Sequence, residues 1–394
     1  MPASPDPHEP TPDGTDRLLL HEAADDLRAA HGAHEGRERH ERRERPSDVV
    51  VLDDRSGALV LRVLAVLDDS ASGDSETTPA PAPRVRSAQD RVTSERSLQA
   101  ALAHAGASDR VTVHAGLGPD LLRDARVVLL RLPKSLDALE ETAQAVARWA
   151  PDDVVVYAGA PVKHMTRTMN EVLLRSFGEV HATLGRHKAR ALVARRPLDA
   201  ARTAEPAFPR TARLDELDLT VVAHGGVFAG TRLDIGTRTL LGVLDQAAPG
   251  AREAVDLGCG TGVLATALAR SRPGLRVVAS DQSAAAVASA LATAGADGVG
   301  DRVTGLRDDA LSTLPDDSAD LVVCNPPFHE GTTLETDAAH RMFAAAARVL
   351  RPGGELWTVY NSHLRHKSAL GRVVGPTTMV LQNPKFTVTR SVRP

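Results

Sequence analysis

One glycine-rich stretch limits what this 394-residue chain can fold into more than any other feature. The stretch 256–262 reads DLGCGTG, follows an apolar run and precedes a helical run of Ala and Leu. Strand, glycine turn and helix in that order are typical of α/β folds with a parallel sheet. Glycines at such a turn let backbone N–H groups approach a ligand at a helix N-terminus. The stretch therefore predicts an α/β domain with a ligand site at this turn.

The same outline occurs earlier in the chain. The half beginning near Ser47 opens with VVVLDDRSGALVLRVLA, in which we match Asp53 to Asp256 and Gly57 to Gly262. Further on, ARVVLLRLPK matches ADLVVCNPPF, and each is followed by an alanine-rich helix, a proline turn and a buried strand. Strands alternating with helices predict a doubly wound, mostly parallel sheet in each half. A shared α/β class can produce such a likeness, but the common order of landmarks favours a duplication whose first copy is degenerate.

Composition suggests where the domains begin and end. Residues 31–45 (HGAHEGRERHERRER) are nearly devoid of apolar side chains, which favours a disordered mixed-charge tail over residues 1–46 rather than a short solvated helix. The stretch 68–90, rich in Ser, Thr, Pro and Ala, predicts a long surface loop. We therefore expect domains over residues 47–200 and 216–394, joined by a linker at 201–215.

The overall charge excludes little, but its distribution is uneven. With 47 Lys+Arg against 51 Asp+Glu, the formal net charge of −4 gives no general reason to bind a polyanion. Residues 161–197, however, hold eight Lys/Arg and two acids, and residues 356–394 hold six Lys/Arg and no acid. Any nucleic-acid contact is therefore expected at these two basic strand ends.

The cysteine content and the apolar runs bear on where the chain works. Two cysteines cannot form a disulfide framework, and no apolar run approaches the ~18–20 residues of a membrane span. No signal-peptide core is evident at the N-terminus. We expect a cytoplasmic globular protein with no membrane partner. Cys259 and Cys324 are expected to be small buried thiols, and no metal site is predicted.

The glycine turn departs from the dinucleotide fingerprint, because its third glycine comes one residue early and an acid precedes the first glycine by two. It resembles the S-adenosylmethionine loop of Rossmann-like methyltransferases. The resemblance implies that Asp256 lies near the methionine ammonium, that Asp281 binds the ribose hydroxyls and that Asp309 lies near the adenine amine, although 308–309 can also be a plain surface turn. The expected cofactor-binding residues are Asp256, Gly258, Cys259, Gly260, Gly262, Asp281, Asp309 and Asn325.

The tetrapeptide Asn325-Pro326-Pro327-Phe328 follows the apolar strand 321–324. Methyl transfer from a sulfonium needs no covalent nucleophile, only a lone pair aimed at the methyl carbon. The Asn325 side-chain oxygen and the Pro326 carbonyl can hold the two protons of a conjugated amine, and Phe328 can stack on a base for about 1–3 kcal/mol. Asn-Pro-Pro is also a competent turn, but its place at a strand end beyond the cofactor loop favours catalysis.

The extended pattern is similar to that of the ribosomal RNA guanine-N2 methyltransferases. It comprises GVF at 226–228, LDIGT at 233–237, DLGCGTGVL, CNPPFHEG and the final Lys385-Phe386, and the resemblance covers residues 47–394. LPK at 132–134, LGRHK at 184–188 and NSHL at 361–364 resemble the large-subunit (23S) enzyme more than the small-subunit (16S) one. The resemblance implies two Rossmann-like methyltransferase domains, the first degenerate, and methylation of a guanine N2 amine in ribosomal RNA or a ribosomal subunit, with no obligate protein partner. Expected RNA contacts are Lys163, Arg186, Lys188, Phe228, His363, Lys385 and Phe386.

Three alternatives stay open at this point. The substrate can be 16S rRNA, or another planar amine such as adenine N6 or a protein glutamine. The chain can also be an RNA-binding or assembly protein with a vestigial site, although the retained Asp256, Gly258, Gly260 and Asp281 argue against this. The first half can bind RNA phosphates or merely shield the catalytic half.

Overall fold

The computed structural model describes residues 10–32, 49–71, 84–326 and 333–394. The described chain forms two compact units that meet in sequence between Ala207 and Phe208. In the described part of the chain, no helix is both long and apolar enough to cross a membrane.

The first unit is a seven-stranded sheet with helices. Its strand order is β3-β2-β1-β4-β5-β7-β6, parallel through β5, with β7 antiparallel to both β5 and β6. Its elements are α1 (Gly14–Glu22), α2 (Ala24–Gly32), β1 (Val49–Leu52), α3 (Ala58–Ala71), β2 (Val85–Ala88), α4 (Val92–His104), β3 (Val111–His114), α5 (Pro119–Leu122), β4 (Val127–Arg131), α6 (Leu136–Trp149), β5 (Val155–Pro161), α7 (Arg167–Leu174), β6 (Phe177–Ala182), β7 (Ala189–Pro197) and α8 (Asp199–Thr203).

The second unit repeats this architecture after an added two-stranded ribbon. Its main sheet has the order β12-β11-β10-β13-β14-β16-β15, again parallel except at the last two strands. Its elements are β8 (Arg210–Leu214), β9 (Leu219–Ala223), α9 (Ile235–Leu241), β10 (Glu253–Leu257), α10 (Val263–Ser271), β11 (Arg276–Asp281), α11 (Ala284–Ala296), β12 (Val303–Arg307), β13 (Ala319–Cys324), α12 (Thr333–Val349), β14 (Leu350–Asn361), α13 (Lys367–Val373), β15 (Thr377–Gln382) and β16 (Phe386–Val392).

The predicted fold class is confirmed by these two sheets. Strands β1 and β4 are buried along their whole length, and alternate residues of β1 join apolar layers on opposite faces of the sheet. Strands covered on both faces read as unbroken apolar runs, which is why VVVL and VVLLR stood out in the sequence. The identical strand order of the two units is the arrangement that a duplication predicts.

Strand register corrects one pairing between the two copies. The N–H of Asp53 donates to the carbonyl of Ala88 at 3.0 Å, and the N–H of Gly258 donates to the carbonyl of Ser280 at 2.8 Å. Both residues directly follow the central strand of their sheet and both have positive φ, 58° and 77°. Asp53 therefore corresponds to Gly258, and matching it to Asp256 was wrong, because that match followed residue type rather than register.

The match of Gly57 with Gly262 agrees with the structure. Each precedes the first helix after the central strand and has a positive φ, 86° and 74°. A Cβ on Gly57 would lie 2.8 Å from the Cβ of Ala101, and one on Gly262 would lie 2.6 Å from the Cα of Ala290. The helix pairs approach so closely at these points that only glycine fits.

The predicted disordered tail is wrong for residues 10–32, which include α1 and α2. Asp13 caps α1 by accepting hydrogen bonds from the N–H groups of Thr15 and Asp16, a favourable way to start a helix. The side chains of Leu18, Leu19 and Leu27 are fully buried in the first unit. These leucines give the segment an apolar face, which the charge of the following stretch obscured; residues 33–48 lie outside the described residues.

Two further boundaries differ from expectation. The predicted linker 201–215 contains the end of α8 and all of β8, which pairs antiparallel with β9. The predicted loop 68–90 is shorter at both ends, because α3 continues to Ala71 and β2 begins at Val85; residues 72–83 lie outside the described residues.

Candidate active site

The glycine loop of the second unit is tied to the neighbouring strand. The N–H groups of Gly258 and Cys259 donate to the carbonyl of Ser280 at 2.8 and 3.0 Å, and that of Gly260 donates to Asp281 Oδ2 at 3.2 Å. These bonds hold the loop beside the carboxyl end of β11, where α/β sheets bind ligands. The left-handed backbone that glycine adopts without strain occurs at Gly258 (φ 77°), Gly260 (φ 52°) and Gly262 (φ 74°).

Asp256 is a buried acid with one oxygen committed to the fold. Its Oδ2 accepts a hydrogen bond from the N–H of Ala265 at 3.0 Å, near the start of α10. Among the described residues, no donor reaches its other oxygen, Oδ1, which is buried. Burial raises the pKa of Asp256 to about 7. A buried carboxylate oxygen without a donor is suited to a cationic or hydrogen-bonding ligand group.

The acids at the ends of β11 and β12 play different parts. Asp281 is half-buried, and its Oδ1 accepts from the N–H of Ser283 at 3.0 Å. The buried Asp308 accepts four hydrogen bonds from the backbone and hydroxyl groups that follow it, so it holds its own turn together. Asp309 is only half-buried at the same strand end. Asp308 therefore stabilises a turn, but the turn is buried there rather than on the surface, and Asp309 stays a candidate ligand contact.

Asn325 follows β13 and is held by the helix α9. Its Nδ2 donates to Asp234 Oδ2 at 3.1 Å and to Thr237 Oγ1 at 3.0 Å. Because a carboxylate can only accept, the NH₂ end of the amide must face Asp234, which leaves Oδ1 as the end available to a ligand. Pro326 is buried next to it, whereas the predicted catalytic residues Pro327 and Phe328 lie outside the described residues.

No role was predicted from the sequence for Asp234 or Thr237, the two residues that hold this amide. Asp234 is the N-cap of α9 and accepts from the N–H of Thr237 at 3.1 Å. A Cβ on Gly236 would lie 2.9 Å from Asp234 Oδ2 and 3.2 Å from Asn325 Oδ1, so only glycine allows this approach. The sequence DIGT at 234–237 could have indicated this position, because Asp is a favourable N-cap residue and a glycine inside the first helical turn is unusual.

The two cysteines are small buried groups, as the sequence indicated. Cys259 and Cys324 are free thiols with 8% and 0% of their surface exposed. Burial raises the pKa of both thiols well above the ordinary value, and the nearby Asp256 adds to the effect. Both therefore stay protonated at neutral pH and are poor nucleophiles.

The three expected RNA contacts of the first unit lie together. Lys163 is exposed in the short helical turn after β5, and Arg186 and Lys188 are exposed in the loop between β6 and β7. The N–H of Val162 donates to the carbonyl of Lys188 at 3.0 Å, which joins these two segments. We call Lys163, Arg186 and Lys188 the basic cluster.

The second unit has an equivalent junction. The N–H of Ser362 donates to the carbonyl of Lys385 at 3.0 Å, with His363 exposed in the intervening turn. Phe228 is 55% exposed in the loop after β9. Phe386, however, is 8% exposed and packs in the core, where the Lys385 ammonium lies 5.6 Å from its ring. A buried ring offers little surface to a base, so the assignment of Phe386 to RNA is corrected to a core role.

The corresponding site of the first unit is filled by its own side chains. Arg131 takes the position of Asn325, is 7% exposed and pairs with Asp16 and, at 2.6 Å, with Asp13. In the degenerate loop, Asp54 accepts from the N–H groups of Gly57 at 3.1 Å and Val60 at 2.9 Å. The donors that a helix start can offer to a ligand are therefore used internally.

The second unit has the features of a Rossmann-like methyltransferase. Its doubly wound sheet has the matching strand order, a glycine loop follows the central strand, an acid ends the next strand and an asparagine–proline turn follows β13.

Residues 218–390 match the methyltransferase small domain, and residues 9–198 match the RLMG N-terminal domain. A ribosomal RNA large subunit methyltransferase G from Streptomyces avermitilis is 35% identical over 369 residues, 89% of this chain and 95% of that protein. The chain belongs to the ribosomal RNA large subunit methyltransferase G family, which confirms the resemblance found in the sequence.

A second relative supports this assignment, and a solved structure supports the fold. The protein of the same name from Stutzerimonas stutzeri is 35% identical over 347 residues, 88% of this chain and 87% of that protein. A T. thermophilus 16S rRNA N2 methyltransferase, solved in complex with AdoMet and guanosine, superposes with a TM-score of 0.67 at 21% identity. That likeness covers 95% of this chain and 92% of the other, so both units share its fold.

Proposed function

We propose that the chain transfers a methyl group from S-adenosylmethionine to the exocyclic N2 amine of a specific guanine in 23S ribosomal RNA, in the cytoplasm where ribosomes are assembled. The observation that carries this is the fixed amide of Asn325, whose Oδ1 is the end left available to an amine. Membership of the large-subunit family supports 23S over 16S rRNA as the substrate.

The second unit has the groups that the cofactor requires. The buried Oδ1 of Asp256, which no described donor reaches, suits the methionine ammonium. Asp281, whose Oδ2 binds the Gly260 N–H, suits the ribose hydroxyls. Asp309 at the end of β12 would lie near the adenine amine. When bound, the cofactor supplies an electrophilic methyl group, so the protein needs no nucleophile of its own.

The protein's contribution to catalysis is orientation and charge stabilisation. Asn325 Oδ1 and the Pro326 carbonyl would accept hydrogen bonds from the two N–H groups of the amine, which aims the nitrogen lone pair and favours the positive charge that forms during transfer. As the nitrogen–carbon bond forms, the sulfur–carbon bond to the methyl group would break, and the methylated nitrogen would then release one proton to water. Removing one such preorganised group from an active site typically costs about 100- to 1000-fold in rate. The guanine must leave its base stack to reach this pocket, at an unstacking cost of a few kcal/mol.

The first unit would contribute binding rather than chemistry. Its loop and its Arg131 position are filled by internal contacts, whereas its basic cluster is exposed. Exposed Lys and Arg side chains fix RNA through phosphates without reading its sequence. Selection of the target guanine then depends on both RNA position and the pocket around Asn325.

Analysis of cellular ribosomal RNA tests the proposed function. N2-methylguanosine would be quantified by mass spectrometry in 23S and 16S rRNA from a gene-deletion strain carrying either the wild type or Asn325→Ala. We expect 23S rRNA to lose one N2-methylguanosine on deletion, to regain it with the wild type and not with the variant. Unchanged 23S rRNA, or a loss confined to 16S rRNA, would contradict the proposal.

A further inference from the structure

We infer that Asp234 and Thr237 are positioning residues that lock the Asn325 amide in its catalytic orientation and raise the acceptor strength of its Oδ1. The inference rests on the proposed function and adds two residues to its machinery. Both lie at the start of α9, outside the NPPF motif and outside the cofactor loop.

The lock follows from the hydrogen bonds. One amide hydrogen of Asn325 is directed at Asp234 Oδ2 at 3.1 Å and the other at Thr237 Oγ1 at 3.0 Å. Turning the amide over would place its oxygen against the Asp234 carboxylate, which cannot donate, and would break that bond, although the Thr237 hydroxyl could donate to the reversed oxygen. A hydrogen bond to a charged group contributes about 1.5–3 kcal/mol, so the reversed amide is strongly disfavoured. The oxygen is therefore kept as the end of the amide that bonds neither Asp234 nor Thr237.

The charge of Asp234 also acts through the amide. A carboxylate bonded to the NH₂ end draws the amide dipole into alignment and increases electron density on the far oxygen, since linked hydrogen bonds polarise one another. That oxygen is the one proposed to hold an amine that becomes positive during transfer. The same charge thus favours the transition state more than the neutral substrate.

The degenerate unit shows the same junction with a different outcome. Helix α1 packs on β5 and β7 as α9 packs on β14 and β16, and its N-cap Asp13 bonds the strand-end residue Arg131 at 2.6 Å. Both units therefore have an acid at the N-cap of a helix that bonds the residue at the end of an equivalent strand, β4 in the first unit and β13 in the second. In the first unit the Arg131 guanidinium forms an ion pair with Asp13. In the second unit Asn325 bonds Asp234 through its NH₂ group, so its Oδ1 is available to accept a hydrogen bond from the substrate.

The test compares kcat and binding for Asp234→Asn and Thr237→Val with two matched controls. Asp234→Asn retains a good helix cap while removing the charge. The controls are Asp245→Asn, which removes a charge from an exposed position of the same unit, and Thr239→Val on α9, which removes a hydroxyl bonded to the Ile235 carbonyl of its own helix. Substrates are a 23S rRNA fragment and methyl-labelled S-adenosylmethionine.

We expect kcat to fall about 10- to 100-fold for Asp234→Asn and less for Thr237→Val, by analogy with the loss seen when residues that orient metal ligands are replaced. The dissociation constants for S-adenosylhomocysteine and for RNA should stay within about twofold of wild type, and both controls should keep the wild-type kcat. In an Asn325→Ala background, Asp234→Asn should slow transfer no further, because its effect passes through that amide.

Wild-type kcat in both variants, or an additive loss in the Asn325→Ala background, would overturn the inference. If the wild type methylates a different substrate, the proposed function fails, and the same kcat comparison on that substrate still decides the roles of Asp234 and Thr237.

Discussion

The carboxylate of Asp54 accepts a hydrogen bond from the backbone N–H of Val60 at 2.9 Å, at the third residue of the first helix after a central strand. In the second unit the N–H at the same helical position, on Ala265, bonds Asp256, which lies within the strand rather than in the loop. Asp54 instead occupies the loop itself, at the position of Cys259. In the first unit Asp54 thus occupies backbone N–H groups that a ligand could otherwise bind, whereas the loop of the second unit is formed by glycines.

This difference predicts one cofactor molecule per chain. Calorimetric titration with S-adenosylhomocysteine should give a stoichiometry of one, because the donors of the first loop are already bonded to Asp54. Asp281→Ala should then remove nearly all measurable binding rather than half of it. A stoichiometry of two, or half the sites surviving in Asp281→Ala, would show that the first unit also binds the cofactor.

Cofactor affinity should depend on pH through Asp256. Burial raises the pKa of this acid to about 7, so between about pH 4 and pH 7 the folded apoprotein holds a proton that an unfolded Asp, with a pKa of about 3.9, has released. The stability of the apoprotein therefore falls as pH rises through this interval.

A cofactor ammonium favours the ionised form, so its binding should release a proton below the pKa. The affinity for S-adenosylhomocysteine should rise with pH up to about 7 and then level off. The measurement is the dissociation constant by calorimetry across this range. Asp256→Asn should bind more weakly and without this pH dependence; an unchanged pH profile in the variant would contradict the ammonium contact.

The close helix approach at Gly262 predicts a large stability loss on adding one methyl group. Gly262→Ala places a Cβ 2.6 Å from the Cα of Ala290 at a φ of 74°, so overpacking and backbone strain together should cost about 2–4 kcal/mol. Gly260→Ala is the matched control, since its φ is 52° but a Cβ there meets no described atom within 4 Å. Its cost should be about 1–2 kcal/mol, from strain alone. Urea unfolding of the two variants checks the difference, and equal losses would refute the close contact.

The basic cluster should carry a measurable share of RNA binding. Replacing Lys163, Arg186 and Lys188 by Ala should weaken RNA binding and reduce the slope of log affinity against log salt by about 0.7–0.9 for each phosphate that is no longer neutralised. Exposed arginines elsewhere on the first unit provide the control, a triple Ala variant at Arg62, Arg96 and Arg123. Fluorescence anisotropy at several salt concentrations measures both slopes. If the two triple variants behave alike, the first unit is a scaffold rather than an RNA-binding surface.

The fold could be predicted because its strands are buried on both faces. VVVL and LVVC are apolar without interruption, and each precedes turn residues, so the positions of these strands along the chain could be predicted. Helix α1 was missed because its few leucines lie in a strongly charged segment, where composition outweighs periodicity. Asp53 was misplaced because register depends on hydrogen bonds between strands that are distant in sequence.

The candidate site could be predicted only for residues that lie in recognisable motifs at the ends of the strands. Asp256 lies one residue before the end of β10, Asp281 ends β11 and Asn325 follows β13, so their proximity could be inferred from topology. Asp234 lies 91 residues before Asn325, and the sequence around an N-cap residue does not indicate that its side chain also bonds a distant amide. Phe386 begins a strand whose burial depends on packing against other elements, which an aromatic residue in a basic stretch does not reveal.

The central claim is that Asn325 directs methyl transfer to a guanine N2 amine in 23S rRNA. Its most direct test uses purified protein, unmodified 23S rRNA and methyl-labelled S-adenosylmethionine, with the RNA digested to nucleosides afterwards. The account predicts label in N2-methylguanosine for the wild type, and for Asn325→Ala a transfer rate about 100- to 1000-fold lower with nearly unchanged cofactor affinity. Label in another nucleoside, or undiminished transfer by Asn325→Ala, would contradict it.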